Sequence, residues 1–310
     1  MSVTINVHVF RVSPVKLLRL DRRSSVHRQI ISRISRLSFA SSAFRFAAVT
    51  STNFPKSRRD IMTSTSAAML LPENPVLSDI GASAVSALVA FSGLRLWEET
   101  AKRDLFDRKL NRKLVHISIG LLFMLCWPLY SSGTRGAILA SLTPGINIIR
   151  MILVGSGIWK DEATVKSMSR YGDRRELLKG PLYYAATITV ANLIYWRTSP
   201  IAIAAVCNLC AGDGFADIVG RRLGREKLPY NPNKSIAGSI AMATAGFLAS
   251  LGFMYYFASF GFIQYNWEMV FGFLVVSLAS AIVESLPIST KLDDNLTVTL
   301  TSILVGSLVF

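Results

Sequence analysis

The sequence predicts an all-α fold: a polytopic membrane bundle with about seven helical spans, six to eight being compatible with it. Hydrophobic residues make up 51% of the 310 positions and charged residues only 17%, a balance too apolar for an ordinary soluble domain. Apolar runs close to the ~20 residues that cross a bilayer recur from residue 76 to the end of the sequence. The connections between them alternate between strongly basic and nearly uncharged. Such alternation is expected when successive loops face opposite sides of a membrane.

The N-terminal segment stands apart from this pattern. Residues 1–59 carry +11 of the total charge of +15, and the rest of the chain only +4. The overall charge therefore does not describe the membrane part, for which no nucleic-acid partner is expected. Residues 1–60 are rich in Arg and Ser, poor in acids, and lack an apolar stretch long enough for a secretory signal. They read as a disordered organelle transit peptide. A basic tail that touches nucleic acid or anionic lipid has the same composition. Residues 61–310 are expected to form one transmembrane domain.

Within that domain the apolar runs fall at about 76–97, 114–130, 136–158, 181–196, 200–212, 236–262, 269–288 and 295–310. The run at 200–212 is short and is expected to extend to Gly220. Pro144 and Arg150 predict a kink or break in the third run. Basic residues concentrate in 95–113, 159–180 and 213–235, so one membrane face gathers most of the polar chemistry. Cys126, Cys207 and Cys210 offer no disulfide framework. The CxxC at 207–210 has no second pair for zinc and reads as small buried residues.

The stretch "LCAGDGFADIVGRRLGREKLPYNPNKSIAGS", 209–239, is the most informative. If it is helical, Asp213 and Asp217 share a face. Two like charges so placed call for a hard cation such as Mg²⁺, which takes carboxylate and phosphate oxygens. Gly212 and Gly214 permit close backbone approach, and Gly220 and Gly224 follow with Arg221, Arg222 and Arg225, which can fork onto phosphate. Lys234 and Ser235 open the next apolar run, where a helix start presents free amides to an anion. A solvated loop whose cations merely orient the protein carries the same charges. The spacing fits neither a P-loop nor a dinucleotide fingerprint.

Other polar groups cluster at span ends. "RKLVHI" holds Arg112, Lys113 and His116, the last suited either to phosphate contact or to an interfacial position. "YGDRRELLKGPLYY" offers Asp173, Glu176 and Lys179, or is an exposed charged helix end. Glu284 lies in or near a span, where an acidic residue costs a few kcal/mol and so implies a partner or a polar cavity. Asp293, Asp294 and Asn295 mark the next boundary.

These motifs resemble a known family. "DGFADIVGRRLGREKLPYNPNKSIAGS" has the shape D-x-x-A-D-x-x-G-R-x-x-G-x9-K-S-x-x-G of the polyprenol kinases. "RKLVHI", "GDRRELLKGPLYY" and "VESLPIS…DDNLTV" resemble segments of the plant chloroplastic farnesol kinase and phytol kinase branch. The resemblance covers roughly 73–310. It implies CTP-dependent phosphorylation of an isoprenoid alcohol in a chloroplast membrane. Farnesol comes first, because the chain as a whole is most similar to the farnesol kinase branch; "DDNLTVTLTS" departs from phytol kinases, which often carry proline after the valine, and geranylgeraniol and phytol stay open as substrates. The implied partners are that alcohol, a nucleoside triphosphate and membrane lipid, with Mg²⁺ or another divalent cation. On this resemblance, Asp213 and Asp217 hold the metal, and Asp173 or Glu284 orients the substrate hydroxyl. Gly220, Arg221, Arg222, Gly224, Lys227, Lys234, Ser235 and Gly238 form the nucleotide site. Arg112, Lys113, His116, Glu176, Lys179, Asp294 and Asn295 are expected to contact substrate or phosphate.

Rival classes are a phytol kinase proper, a cytidylyltransferase making a CDP-lipid, and a transporter. "NKSIAGS" lacks the acidic residue that precedes the glycine in cytidylyltransferases. No inverted repeat is visible, and the polar groups gather on one face and not at the midplane, which weighs against a transporter.

Overall fold

A computed structural model of the chain describes residues 74–287 and 292–310, all within the second, Ser57–Phe310, of the two units into which the chain divides. The expected transit segment lies outside the described residues. Among them, six helical segments are long and apolar enough to cross a membrane, and a shorter apolar helix, Asp294–Val309, follows. The membrane bundle expected from the apolar runs is thus present.

Local chemistry sets the helix ends. Helix α1 (Pro75–Lys102) begins with proline at its first position, and Asn74 Oδ1 accepts from Val76 N at 3.0 Å. Helix α2 (Arg108–Leu125) is capped by Asp107 and continues into a 3-10 turn, Trp127–Leu129. Helix α3 (Thr134–Ser156) stops at Gly157, whose φ of +85° is a left-handed conformation that favours glycine. The expected break at Pro144 and Arg150 does not occur, and α3 runs unbroken through both. Neighbouring helices in a bundle can support a proline inside a span. The Arg150 guanidinium is neutralised by Glu98 at 2.8 Å and Asp161 at 2.9 Å.

A short helix α4 (Glu162–Met168) and a 3-10 turn, Arg174–Leu178, lead to α5 (Gly180–Tyr195). Then α6 (Pro200–Cys207), a π-helical turn (Asn208–Gly212) and α7 (Asp213–Leu223) form one continuous rod. It includes the extension past residue 212 that the short apolar run called for. This span is 78% buried where the other five are 22–44% buried, so it is the centre of the bundle. A two-stranded antiparallel hairpin, β1 (Lys227–Leu228) with β2 (Asn231–Ser235), departs from a purely helical expectation. Helices α8 (Ile236–Ser259), α9 (Trp267–Ser285) and α10 (Asp294–Val309) complete the bundle.

The two ends of the bundle differ in kind. One holds an aromatic cluster in which Trp127 stacks on Phe257 at 5.7 Å between ring centroids. Arg197 lies 3.8 Å over the Phe262 ring there and donates to the carbonyls of Trp127 and Tyr130. The other end gathers the basic connections, linked by Lys166–Asp104 at 2.9 Å, Arg221–Asp107 at 3.8 Å and Lys234–Asp294 at 3.2 Å. Single cysteines introduced at Arg170 and Lys227 are therefore expected to react with a membrane-impermeant thiol reagent from the same side of sealed vesicles, and one at Trp267 from the opposite side. Labelling of positions 170 and 227 from opposite sides would dismantle this end of the bundle.

Candidate active site

The basic end encloses a cavity of about 920 Å³. Its lining comes from α2, the connection before α5 and the first turn of α5, α7, the hairpin, the start of α8, and the junction of α9 with α10. Asp213 sits in its wall, 2% exposed, at the point where the π-helical turn returns to α-helix. A π turn shifts the register of all that follows and is frequent at functional sites. Gly214, next in sequence, packs against α2, where a Cβ would stand 2.2 Å from Ile117 Cγ1. That close approach brings α2's polar residues to Asp213. Lys113 Nζ lies 2.6 Å from Asp213 Oδ2, and His116 Nε2 lies 3.2 Å from the same oxygen. His116 Nε2 is also 2.7 Å from the Leu209 carbonyl, which can only accept, so this nitrogen carries the proton.

Two further carboxylates converge on Asp213. Glu284, at the end of α9, and Asp294, at the start of α10, each place an oxygen so that the three ligand atoms lie within 4.8 Å of one another. Lys234, at the end of the hairpin, pairs with Glu284 and with Asp294. Burial opposes the charge on Lys234, yet Asp294 and Glu284 more than offset it and hold the ammonium above the usual lysine range. Asp294 Oδ1 is buried without a hydrogen-bond partner. Three carboxylate oxygens at this separation, one carboxylate with an unused oxygen, match the donor set of a hard divalent cation.

Several residues singled out in the sequence line this cavity: Arg112, Lys113, Lys179, Asp213, Asp217, Gly220, Arg221, Gly224, Lys227, Lys234, Ser235, Gly238, Glu284 and Asp294. Asp213 and Asp217, the expected metal pair, have different neighbours. Asp217 does share the face of α7 with Asp213, but its carboxylate is taken by Arg221 at 2.5 Å, one helical turn on. The oxygens that approach Asp213 come from Glu284 and Asp294 instead. Ser235 caps α8, its Oγ accepting from Gly238 N at 3.2 Å. Gly220 and Gly238 face each other closely, and a Cβ on Gly220 would stand 3.5 Å from Gly238 Cα.

The remaining expectations fall outside the lining. Asp173 caps the 3-10 turn by accepting from Arg175 N at 2.9 Å. Glu176 accepts from the amides of Arg170 at 2.6 Å and Tyr171 at 2.9 Å, closing a loop. Arg222 is exposed. Asn295 is buried and donates to the Gly180 carbonyl at 3.0 Å, which ties α10 to α5. His116 reaches the site only through Asp213. Sequence reasoning did not single out Lys109, Arg170, Tyr171, Tyr183 or Asn233, all of which line the cavity. The density of cations in their loops was the available signal.

The chain is 72% identical over 240 residues to a probable phytol kinase 3, chloroplastic, of Glycine max, covering 77% of this chain and 75% of the relative. It is 65% identical over 260 residues to a farnesol kinase, chloroplastic, of Arabidopsis thaliana, covering 84% of each. The chain belongs to the plant farnesol/phytol kinase family. A probable phytol kinase 2, chloroplastic, of Oryza sativa subsp. japonica is a further member, 69% identical over 247 residues, with 79% of this chain and 81% of the relative matched. No family model matches the chain, and no solved structure matches it.

The trio and the pair in α7 make different predictions for this family member. Asp213→Asn and Asp294→Asn are each expected to weaken Mn²⁺ binding by about tenfold or more, read by electron paramagnetic resonance on the purified protein. Asp217→Asn should change it by less than about threefold, because its carboxylate faces Arg221. Equal losses in Asp213→Asn and Asp217→Asn would return the metal to the pair.

Proposed function

We propose that the chain phosphorylates an isoprenoid alcohol, using CTP as donor and a divalent cation, in a chloroplast membrane. Its relatives are a farnesol kinase and probable phytol kinases, all chloroplastic. The observation that carries the reading is the convergence of Asp213, Glu284 and Asp294 with Lys113 and Lys234 in one cavity at an end of a membrane bundle. CTP as the donor rests on the resemblance of the 213–238 motif to polyprenol kinases.

Phosphoryl transfer asks chiefly for positioning and charge neutralisation. Arg112, Lys179, Arg221, Lys227 and Lys234 supply cations around the cavity for a triphosphate. Asp213, Glu284 and Asp294 would hold the cation, which would supply neutralisation of phosphate charge. In the reaction the alcohol oxygen bonds to the γ-phosphorus, and the bond from that phosphorus to the β–γ bridging oxygen breaks, releasing CDP. The hydroxyl proton leaves to a carboxylate of the site. Of the two carboxylates that the sequence offered for orienting the hydroxyl, Glu284 lines the cavity and Asp173 does not.

Residues 1–60 are proposed to act as the transit peptide. A chain lacking residues 1–55 should keep its turnover in isolated membranes and lose import into chloroplasts, and loss of turnover would give the segment a catalytic part. The reaction itself is tested with CTP labelled at the α or the γ position, offered with farnesol, geranylgeraniol or phytol. Label is expected in the lipid from the γ position alone. Transfer from the α position would identify a cytidylyltransferase, and transfer from neither would leave a non-enzymatic role.

A further inference from the structure

A second cavity, of about 200 Å³, lies between α1, α2, α3 and α5. Its wall is apolar, built from Ala90, Leu94, Ile119, Phe123 and Ile188. The cleft opens sideways between α1 and α3, where Phe91 is 50% and Ile146 63% exposed. Both residues lie well inside spans, so the mouth faces hydrocarbon and neither aqueous side. Arg150, the cation in its wall, is already engaged by Glu98, Asp161 and Thr164. A bound anionic headgroup would find no cation there, whereas an uncharged apolar chain fits the wall.

The inner end of this cleft lies one layer of side chains from the candidate active site. Gly120 and Tyr184 form it, packed so closely that a Cβ on Gly120 would stand 2.3 Å from Tyr184 Oη. Tyr184 Oη donates to the His116 carbonyl at 2.6 Å, and the two rings lie 4.4 Å apart. On its other side His116 Nε2 is 3.2 Å from Asp213 Oδ2. One layer of side chains thus divides an apolar cleft, open to lipid, from the carboxylates of the large cavity.

Building on the kinase reading above, we propose that this cleft holds the isoprenoid chain of the alcohol substrate. The hydroxyl end lies at Gly120 and Tyr184, on the side of the candidate active site, and the far end lies at Ala87 and Thr143. Helix α1 runs toward the basic end, so Ala87 is about 10 Å farther from that end than Leu94 is. The site therefore reads the first part of the chain closely. Longer chains leave through the mouth between Phe91 and Ile146 and continue in lipid. Substrate thus enters from the membrane plane, and nucleotide enters from the aqueous side.

Ala87 is exposed on the cleft rim, so a larger side chain there fills the cleft without disturbing the core. Ala87→Phe is expected to raise KM for farnesol, relative to KM for a short prenyl alcohol, by about tenfold, the effect of displacing one or two methylene-sized contacts. An unchanged ratio would overturn the assignment. An independent readout needs no turnover: a farnesol analogue with a diazirine in its tail should label peptides containing residues 87–94 or 143–147, with competition by excess farnesol. Labelling confined to α8, α9 or α10 would also overturn it. Competed labelling of the cleft without any phosphate transfer to the alcohol would keep the binding site and remove the kinase reading instead.

Discussion

The basic end of the molecule depends on the burial of Asp213 against Lys113. The two charges come from different helices, α7 and α2, and meet at 2.6 Å with side chains 3% and 10% exposed. Removing one partner of such a pair strands the other charge in low dielectric and costs about 3–5 kcal/mol. That makes the pair a constraint on helix placement as much as an interaction. Lys234 repeats the arrangement with Glu284 and Asp294, joining the hairpin to α9 and α10. Three carboxylates then face two ammonium groups in a confined space. Asp294 Oδ1 is buried there without a hydrogen-bond partner, and the proposed cation would meet it.

Such a cluster can form only if the helices approach closely, and small residues make that possible. At Gly214 no side chain could stand against Ile117, and at Gly220 and Gly238 the backbones of α7 and α8 meet. Ser235 ends the hairpin and begins α8, so one residue fixes both the helix start and the position of Lys234 beside it. The π turn at Asn208–Gly212 re-aims α7 within the central rod. Backbone geometry, more than any single polar contact, brings Asp213 to face Glu284 and Asp294.

The bundle also joins two solvents. The large cavity is lined chiefly by charged and polar groups, and the lateral cleft by alkyl and aromatic ones. Tyr184, in the wall of the cleft, and His116, against Asp213, form the layer between them. A reaction that unites a water-soluble triphosphate with a membrane-dissolved alcohol needs that adjacency. At the opposite end the buried Arg197, held by carbonyls and the Phe262 ring, serves packing.

Amino-acid order alone determined the class of fold, the sidedness of the charge and the residue types of the site. These follow from hydropathy and local spacing, which act over one or two helical turns. The apolar runs marked the spans, "DGFADIVGRR" marked a helix with two carboxylates on a face, and Ser235 marked a helix start. Glu284 declared itself as an acid that needed a partner in an apolar run. Only the tertiary structure decided which carboxylates meet. Asp217 was the natural partner of Asp213 by spacing, but Arg221 is nearer to it. Glu284 and Asp294 reach Lys234 from 50 and 60 residues away, and no periodicity encodes a contact of that range. The same reason hid the lateral cleft, whose walls come from four helices and whose residues look, one by one, like any lipid-facing span. Long-range packing of helices in three dimensions, set by glycines and buried ion pairs, turned a legible set of residues into a site.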